Sequence, residues 1–178
     1  MVEKEFETQR LPDEFSEQVL QEVEVAHLII DETADTKPPI VILRLKDKSQ
    51  QWLPIWIGNP ESVSISWGMQ DEKPPRPITH DLLLNLLQAA NANIQQIIVS
   101  DIREQTFIGK MVIDFNGTVK EIDCRPSDAI AIAVRAKHPI LVAKKLTDQE
   151  SLWKPQEELE EFLKRGKPFR DMTRLVEV

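Results

Sequence analysis

The amino-acid sequence predicts an α+β domain in which helices pack on a mixed, largely antiparallel sheet. Two groups of consecutive segments alternate between apolar and polar residues, which is typical of strands with one wet face. Helix-start signals separate these groups, so strands and helices do not simply alternate along the chain. With 178 residues, of which 41% are hydrophobic, the chain is long enough to bury a single core.

The first group of strands precedes the first helix. A polar turn joins its second and third strands as an antiparallel hairpin. Pro54 places the third strand at an edge or a bulge, because proline cannot donate to a sheet ladder. Asn59 is a candidate N-cap, and Pro60 suits the first helical position. The expected elements are strands over residues 19–30, 40–45 and 51–57 and a helix over 60–69.

The second group of strands lies between two further helices. Leu82, Leu83, Leu86, Leu87 and Ala90 are predicted to give the first of these helices a broad apolar face. Its expected left-handed stop is Asn93. The expected elements are helices over 79–92 and 127–137 and strands over 94–102, 106–115, 118–124 and 140–143.

Glycines and tryptophans add local detail to this prediction. Asn116-Gly117 is the clearest hairpin turn, since both residues tolerate positive φ. Gly109, in the middle strand of the second group, predicts a close neighbour. Trp52 and Trp56 share one strand face, and a core, a stacking platform for bases or a subunit interface would each explain them. We favour the subunit interface.

Composition divides the chain into three parts. Residues 1–18 are an acidic, irregular N-terminal extension, residues 19–145 hold the core domain, and residues 146–178 form a C-terminal tail. The tail contains a charged segment over 155–165 that is predicted to be helical and to end at Gly166.

Charge and cysteine content limit the partners and the compartment. The net charge of −8 means that the protein as a whole repels nucleic acid, so phosphate binding must depend on a local cationic patch. The single cysteine, Cys124, excludes an internal disulfide and fits a reducing compartment, so we expect a cytoplasmic protein. No stretch approaches the ~20 apolar residues that span a bilayer, so no membrane association is expected.

Two short blocks repeat one pattern of arginine, proline, hydroxyl residue, aspartate and apolar helix. Each hydroxyl residue can cap a helix, and each aspartate lies in a first turn, where the helix dipole favours an anion. Capping requires neither the arginines nor the histidine, so these charges are available for other chemistry. The residues concerned are Arg76, Thr79, His80 and Asp81 in the first block and Asp123, Arg125, Ser127 and Asp128 in the second.

The carboxylates near these helix starts can be explained in two ways. Asp81, Asp123, Asp128 and Glu61 supply the hard oxygen ligands that Mg²⁺ or Mn²⁺ prefers. Helix capping and solvated surface charge explain the same residues without a metal. The sequence leaves both explanations open, because it does not show whether the four side chains converge.

The arginines and the histidine have alternative roles as well. Arg76 and Arg125 each precede a helix start, where a guanidinium and free backbone N–H groups can bind a phosphate together. Each arginine can instead form an ion pair with the aspartate of the other block. His80 can transfer a proton or ligate a metal, or it can be a surface residue at the helix start.

Three motifs resemble the bifunctional nuclease family in sequence, order and spacing. They are Leu53–Gly58, Arg76–Leu82 and Ile122–Ala131, and the likeness covers about residues 19–145. The resemblance implies an α+β domain, usually self-associating, with nuclease activity on RNA and DNA in some members. By motif position it implies a site that contains Arg76, Thr79, His80, Asp81, Asp123, Arg125, Ser127 and Asp128, with Glu61 at the position of an acidic family residue.

The leading hypothesis is a cytoplasmic, homo-oligomeric nuclease, expected to be a dimer, that cleaves RNA or DNA with little sequence specificity and with help from Mg²⁺ or Mn²⁺. The alternative is a noncatalytic interaction or regulatory module, or a protein that binds a small anion. In the leading hypothesis the catalytic residues are His80, Asp81, Asp123 and Asp128, the phosphate-binding residues are Arg76, Arg125, Thr79 and Ser127, and the metal ligands are Asp81, Asp123, Asp128 and Glu61.

Overall fold

The computed structural model describes residues 20–70 and 74–169. The predicted N-terminal extension, residues 71–73 of the loop before the second helix, and residues 170–178 of the predicted tail lie outside the described residues. In the described ranges the chain forms eight strands and five α-helices in one domain, with a mixed, mostly antiparallel sheet. The predicted α+β class is confirmed.

All seven predicted strands and the three predicted helices of the core are present, close to their expected bounds. The strands are β1 (Leu20–Asp31), β2 (Pro39–Leu45), β3 (Trp52–Trp56), β4 (Ala92–Arg103), β5 (Thr106–Phe115), β6 (Thr118–Cys124), β7 (Ile140–Ala143) and β8 (Gly166–Pro168). The α-helices are α1 (Asn59–Met69), α2 (Thr79–Ala89), α3 (Pro126–Ala136), α4 (Lys144–Thr147) and α5 (Leu159–Leu163), with a 3₁₀ turn over Gln156–Glu158. The sequence did not predict α4 and β8.

The strands form one sheet in the order β3-β2-β1-β7-β4-β5-β6, and β8 pairs with β1. All these pairs are antiparallel except β4 with β7, because α3 carries the chain from β6 back across the sheet before β7 begins. Pro54 lies in β3, which is an edge strand as predicted. The other edge is β6, which pairs with β5.

The main core lies between the sheet and the helices α1 to α3. Ile65 of α1 and Ile130 of α3 are fully buried in it together with strand residues such as Val41 and Ile97. Each of these strand residues alternates with residues that face the opposite side of the sheet, as a period of two requires. In the described part of the chain, each helix is too short or too polar to cross a lipid bilayer.

A smaller apolar cluster covers the opposite face of β1, β2 and β3. Trp52 is fully buried there, and its ring centroid lies 4.8 Å from that of Phe162 in α5. The prediction of a subunit interface at Trp52 is therefore wrong, because residues from the C-terminal part of the same chain cover this ring. Trp56, on the same strand, is exposed.

The predicted side-chain caps of α2 and α3 are absent. Their N-cap residues are Ile78 and Arg125, both in extended conformation, and neither helix has a side-chain cap hydrogen bond. Thr79 is exposed and Ser127 is buried, each inside the first turn, so the capping prediction is wrong for both. The backbone N–H of Ile78 instead donates to Asp81 Oδ2 at 2.9 Å.

Other local predictions have mixed outcomes. The N-cap of α1 is Gly58 and not Asn59. The left-handed residue after α2 is Asn91, with φ of 51°, so the predicted stop at Asn93 is two residues too late. The hairpin at Asn116-Gly117 is confirmed, since both residues have positive φ. The broad apolar face of α2 is only partly buried: Leu87 packs on the core, whereas Leu82, Leu83 and Leu86 are exposed.

Candidate active site

Arg125 lies at the junction of β6 and α3, and the local backbone explains its position. Gly109 of β5 is paired in register with Cys124. A Cβ atom at Gly109 would lie 3.0 Å from both the Cys124 carbonyl oxygen and the Pro126 nitrogen, so the chain can pass this closely only over a glycine, as the sequence predicted. Pro126 then begins α3 with a φ suited to the first helical position.

The Arg125 guanidinium binds two carboxylates. Its Nε donates to Asp128 Oδ2 at 2.8 Å, and its Nη2 donates to Asp128 Oδ1 at 3.0 Å and to Glu61 Oε1. These hydrogen bonds, first those to Asp128 and then that to Glu61, raise the pKa of Arg125 above its usual range. The arginine is thus a fixed cation whose side chain is still 65% exposed.

Glu61 reaches Arg125 from the first turn of α1. Its side chain is largely buried, and the helix dipole there favours an anion. Glycine at position 58 leaves room for this carboxylate, because a Cβ atom there would lie 2.2 Å from Glu61 Oε2. The starts of α1 and α3, far apart in sequence, therefore meet at Arg125.

His80 connects the first block to the second. Its Nε2 lies 3.3 Å from Asp128 Oδ1, and its Nδ1 lies 2.7 Å from Ser64 Oγ in α1. The ring can hold both contacts as the Nε2–H tautomer, with the serine hydroxyl donating to Nδ1, or as an imidazolium that donates at both nitrogens. We call Ser64, His80, Asp128, Arg125 and Glu61 the Arg125 network.

Asp81 points away from this network. Its Oδ1 accepts a hydrogen bond from Arg135 Nε at 2.7 Å, and Arg135 Nη1 also donates to the Ala131 carbonyl at 3.0 Å. The Arg135 side chain is almost fully buried. Both residues line a cavity of about 510 Å³ between α1, α2 and α3. Because Asp81 also bonds the helix start at Ile78, both of its oxygens are engaged by the protein.

Asp123 and Arg76 lie in two other places. Asp123 is exposed and pairs in register with Lys110, so it points to the sheet face opposite to Cys124, which packs against the main core. It lines a groove of about 350 Å³ together with Lys145. Arg76 is exposed in the loop before α2 and makes no hydrogen bond or ion pair with residues 20–70 or 74–169.

The four predicted metal ligands do not form a common metal site. Within the two described ranges, no group of three or more His, Cys, Asp or Glu residues is placed to hold an ion. Glu61 and Asp128 do share a partner, but it is the Arg125 guanidinium, which occupies the position between them with positive charge. Asp81 and Asp123 lie elsewhere, so this arrangement does not fit the all-oxygen shell that Mg²⁺ or Mn²⁺ requires.

The sequence did not indicate two residues that the structure places beside the predicted ones. It also suggested ion pairs between the two blocks that do not form. Ser64 belongs to no motif, and nothing in its neighbourhood marks it as a partner of His80. Arg135 carries a usable signal, because it lies seven residues after Asp128 and hence near the same face of α3. The expected arginine–aspartate pairs between the two blocks are not formed: Arg125 pairs within its own block, and Asp81 pairs with Arg135.

Cys124 fits the structural role expected of it. Burial, with smaller contributions from Asp128 and Asp123, raises the pKa of its thiol to about 12. The thiolate that nucleophilic chemistry needs is therefore scarce at neutral pH.

The fold and these contacts define an α+β domain in which an exposed, carboxylate-bound arginine and a buried histidine lie where three helices begin on one face of a sheet. Residues 41–154 match the family model described as the bifunctional nuclease domain. That match covers more than half of the chain, and the chain belongs to this family.

Several curated proteins are similar to this chain over the same region. A protein of Mycobacterium tuberculosis described as uncharacterized is 37% identical over 123 residues, which are 69% of this chain and 73% of the relative. Bifunctional nuclease 1 of Arabidopsis thaliana and Bifunctional nuclease 2 of Oryza sativa subsp. japonica are each 26% identical over 117 residues, or 64% of this chain. The match spans only 36% of the length of each plant protein.

Proposed function

We propose that the chain is a nuclease-like hydrolase that cleaves phosphodiester bonds of RNA or DNA with little sequence specificity. One observation carries the proposal: Arg125 uses only its Nε and Nη2 in the network, so its Nη1, with two of the five guanidinium N–H groups, bonds no residue that the structure describes. The exposed guanidinium can therefore bind a phosphate while it stays attached to Asp128 and Glu61. The plant relatives named bifunctional nucleases support the reaction class.

The proposed roles follow from this arrangement. Arg125 binds a non-bridging phosphate oxygen and offsets the charge that develops on phosphorus-bound oxygens during attack by water. The contact between His80 and Asp128 supplies a carboxylate and an imidazole that can accept the proton of the attacking water and return a proton to the departing sugar oxygen. Ser64 orients the imidazole from its buried side.

Other residues of the two blocks have smaller proposed roles. Thr79 and Ser127 lie in the first turns of α2 and α3 and offer hydroxyls to the phosphate, and Arg76 is an exposed second cation in the preceding loop. All these groups address the backbone of the substrate and not its bases, which accounts for low sequence specificity. Asp81 and Asp123 lie outside the Arg125 network and need not contact the same phosphate.

Three further features stay predictions. They are assistance by Mg²⁺ or Mn²⁺, a cytoplasmic location, and self-association of the chain as a dimer. The metal would supply Lewis-acid stabilisation of the phosphate when bound, but no described cluster of residues accounts for its binding. A second candidate function, binding of an anion without turnover, is favoured by the fact that both nitrogens of His80 already have partners in the network.

The decisive experiment compares two exposed arginines. We expect Arg125→Ala to lower the cleavage rate of single-stranded RNA and DNA by roughly 100-fold, the size of effect seen when a donor to a developing charge is removed. Arg125→Lys should lose less of the cleavage rate, since lysine keeps the positive charge but not the planar guanidinium that donates several hydrogen bonds at once. Arg103→Ala is the matched control, because Arg103 is an exposed arginine on β4 that pairs with Asp101, and it should stay within about twofold of the unmodified protein.

The outcomes separate the proposals. Equal cleavage rates for the Arg125→Ala variant and the unmodified protein would contradict the role assigned to Arg125. Binding of labelled oligonucleotide without cleavage, lost in Arg125→Ala, would establish the anion-binding alternative. Loss of activity in a chelator and its return with Mg²⁺ or Mn²⁺ would support metal assistance, whereas full activity in the chelator would remove that prediction and leave the nuclease proposal intact.

A further inference from the structure

The outer face of α2 is apolar and exposed. Leu82, Leu83 and Leu86 are 54%, 37% and 57% exposed, and we call these three residues the leucine stripe. The inner side of the same helix is also apolar, since Leu84 and Leu87 pack on the main core. A helix that is apolar on both sides is typical of a buried position, and a surface helix needs only one such side.

We propose that the leucine stripe is the contact between two copies of this chain, which pack their α2 helices against each other about a twofold axis. The proposal deepens the self-association proposed above by placing the interface, and it does not depend on catalysis. In a twofold contact the same patch serves both partners. Leu82 and Leu86 are four residues apart, so they form a ridge that can fit between the corresponding residues of the second copy.

Charge selects a second copy as the occupant. The chain carries a net charge of −8, so acidic groups at the centre of a contact between two copies would add to their mutual repulsion. α2 itself has no charged residue from Leu82 to its end at Ala89, although 29% of the whole chain is charged. A nucleic acid would find no cation on this surface, and a helix that lies on a membrane normally carries lysine or arginine along its polar side.

The size of the patch is adequate for the centre of a small dimer interface. The three leucines are each about half exposed, so burying the stripes of two copies removes on the order of 300 Å² of apolar surface from water, at ~50 Å² for each of the six side chains. Stable interfaces bury a total of about 1,200 Å² or more, with an apolar centre and a polar rim. Asn85 and Thr79 of α2 can contribute to such a rim.

The neighbouring edge of the sheet can extend the contact. α2 begins beside the first turn of α3, through His80 and Asp128, and ends beside the β5–β6 turn, where Asn116 Nδ2 donates to the Ala90 carbonyl at 3.2 Å. β6 connects the same two places and has β5 as its one partner among the described strands. Its residue Ile122 is 36% exposed, and open strand edges readily pair with another chain.

The test measures the mass of the full chain in solution. We expect light scattering after size-exclusion chromatography to give about twice the 20.5 kDa chain mass at micromolar concentration. Leu86→Glu should raise the dimer dissociation constant at least about 100-fold, because the interface would then bury two uncompensated carboxylates. Met69→Glu is the matched control: Met69 is 45% exposed at the end of α1, and the variant should dimerise as the unmodified protein does.

Each outcome decides the question. A monomeric unmodified chain over the whole concentration range would overturn both the self-association and the interface. A dimeric Leu86→Glu variant would overturn the interface alone. If circular dichroism shows that the Leu86→Glu variant is unfolded, the Leu82→Gln variant is used in its place, and the proposal requires that it weaken the dimer. Cleavage activity is measured in parallel, since failure of the nuclease proposal would leave these masses unchanged.

Discussion

The two arginine–proline blocks have the same residue pattern but form different structures. In the second block, Arg125 binds Asp128 of its own first turn and also Glu61. In the first block, Arg76 is exposed in a loop, and Asp81 binds Arg135 from the last turn of α3. The environment of each helix start, and not the pattern, therefore decides whether the arginine and the aspartate of a block meet.

This difference has a structural cause. The second block follows β6 directly, and Gly109 holds its backbone against β5, so Arg125 emerges at a fixed place next to the start of α1. The first block follows the loop that contains Pro74 and Pro75, and its arginine lies four residues before the buried His80. The second block thus holds an arginine in an ordered position between two carboxylates, whereas the first contributes His80 to that site and Asp81 to a separate ion pair with the buried Arg135.

The largest expected effect is on stability and concerns the buried pair of the first block. Replacing Arg135 with methionine keeps most of the side-chain volume but leaves Asp81 without its partner. Removing one member of a buried pair costs about 3–5 kcal/mol; Asp81 is partly exposed and retains the N–H of Ile78, so we expect the lower end of this range. Urea denaturation monitored by tryptophan fluorescence measures the free energy of unfolding.

Arg76→Met is the control for this prediction, because it makes the same substitution at an arginine in an exposed loop. Its free energy of unfolding should stay within about 0.5 kcal/mol of the unmodified value. If the two variants are equally stable, the first block contains no structural ion pair of consequence, and the contrast between the blocks disappears.

A third ion pair shows how a buried carboxylate of this fold responds to pH. Asp31 is buried at the end of β1 and accepts hydrogen bonds from Thr33 and from Arg165, whose Nη2 lies 2.8 Å from Asp31 Oδ2. Burial alone would raise its pKa, but the hydrogen bonds from Thr33 and Arg165 outweigh it and lower the pKa to about 2. Asp31 is therefore charged in the folded protein over almost the whole accessible pH range.

The sign of the pH effect follows from this lowered pKa. The folded state binds the proton of Asp31 less tightly than the unfolded state, so the contribution of the ion pair is complete above about pH 5 and is lost as the pH falls towards 2. A shift of this size corresponds to about 2 kcal/mol. We expect urea denaturation at pH 6 and pH 2.5 to show a smaller loss of stability on acidification for Asp31→Asn than for the unmodified chain, and an equal loss would contradict the assignment.

Much of the fold could be predicted from the sequence, because period and turn chemistry are local. Strands with regular alternation were placed within about two residues, and Asn116-Gly117 determines its own turn through positive φ. β8 was not predicted, since three residues carry no period and the strand exists only through its pairing with β1. The burial of Trp52 depends in the same way on residues more than one hundred positions later.

The candidate site was predictable in its residue types but not in its pairings. Arg125, Asp128 and His80 were named from the blocks, and the structure brings them together. The partners of Asp81 and His80, which are Arg135 and Ser64, come from packing of α1 and α3 against α2, and this packing leaves no trace in the spacing of the motifs. The predicted capping residues are also wrong, because a hydroxyl residue near a helix start is not always at the cap position.

The smallest expected effect concerns those two hydroxyl residues and separates capping from substrate binding. A functional N-cap loses about 1 kcal/mol on replacement by alanine. Since neither Thr79 nor Ser127 is an N-cap in the structure, each alanine variant should change the free energy of unfolding by less than about 0.5 kcal/mol.

The same two variants also test whether the hydroxyls bind phosphate. We expect the hydroxyl of the second block to contribute more to cleavage than that of the first. Ser127 lies two residues from Arg125, next to the ordered cation, whereas Thr79 follows the exposed loop. We therefore expect a severalfold lower rate for Ser127→Ala and almost none of this loss for Thr79→Ala, with both proteins equally stable. Equal rates in the two variants would mean that the hydroxyls do not distinguish the blocks, and that Arg125 alone accounts for the difference between them.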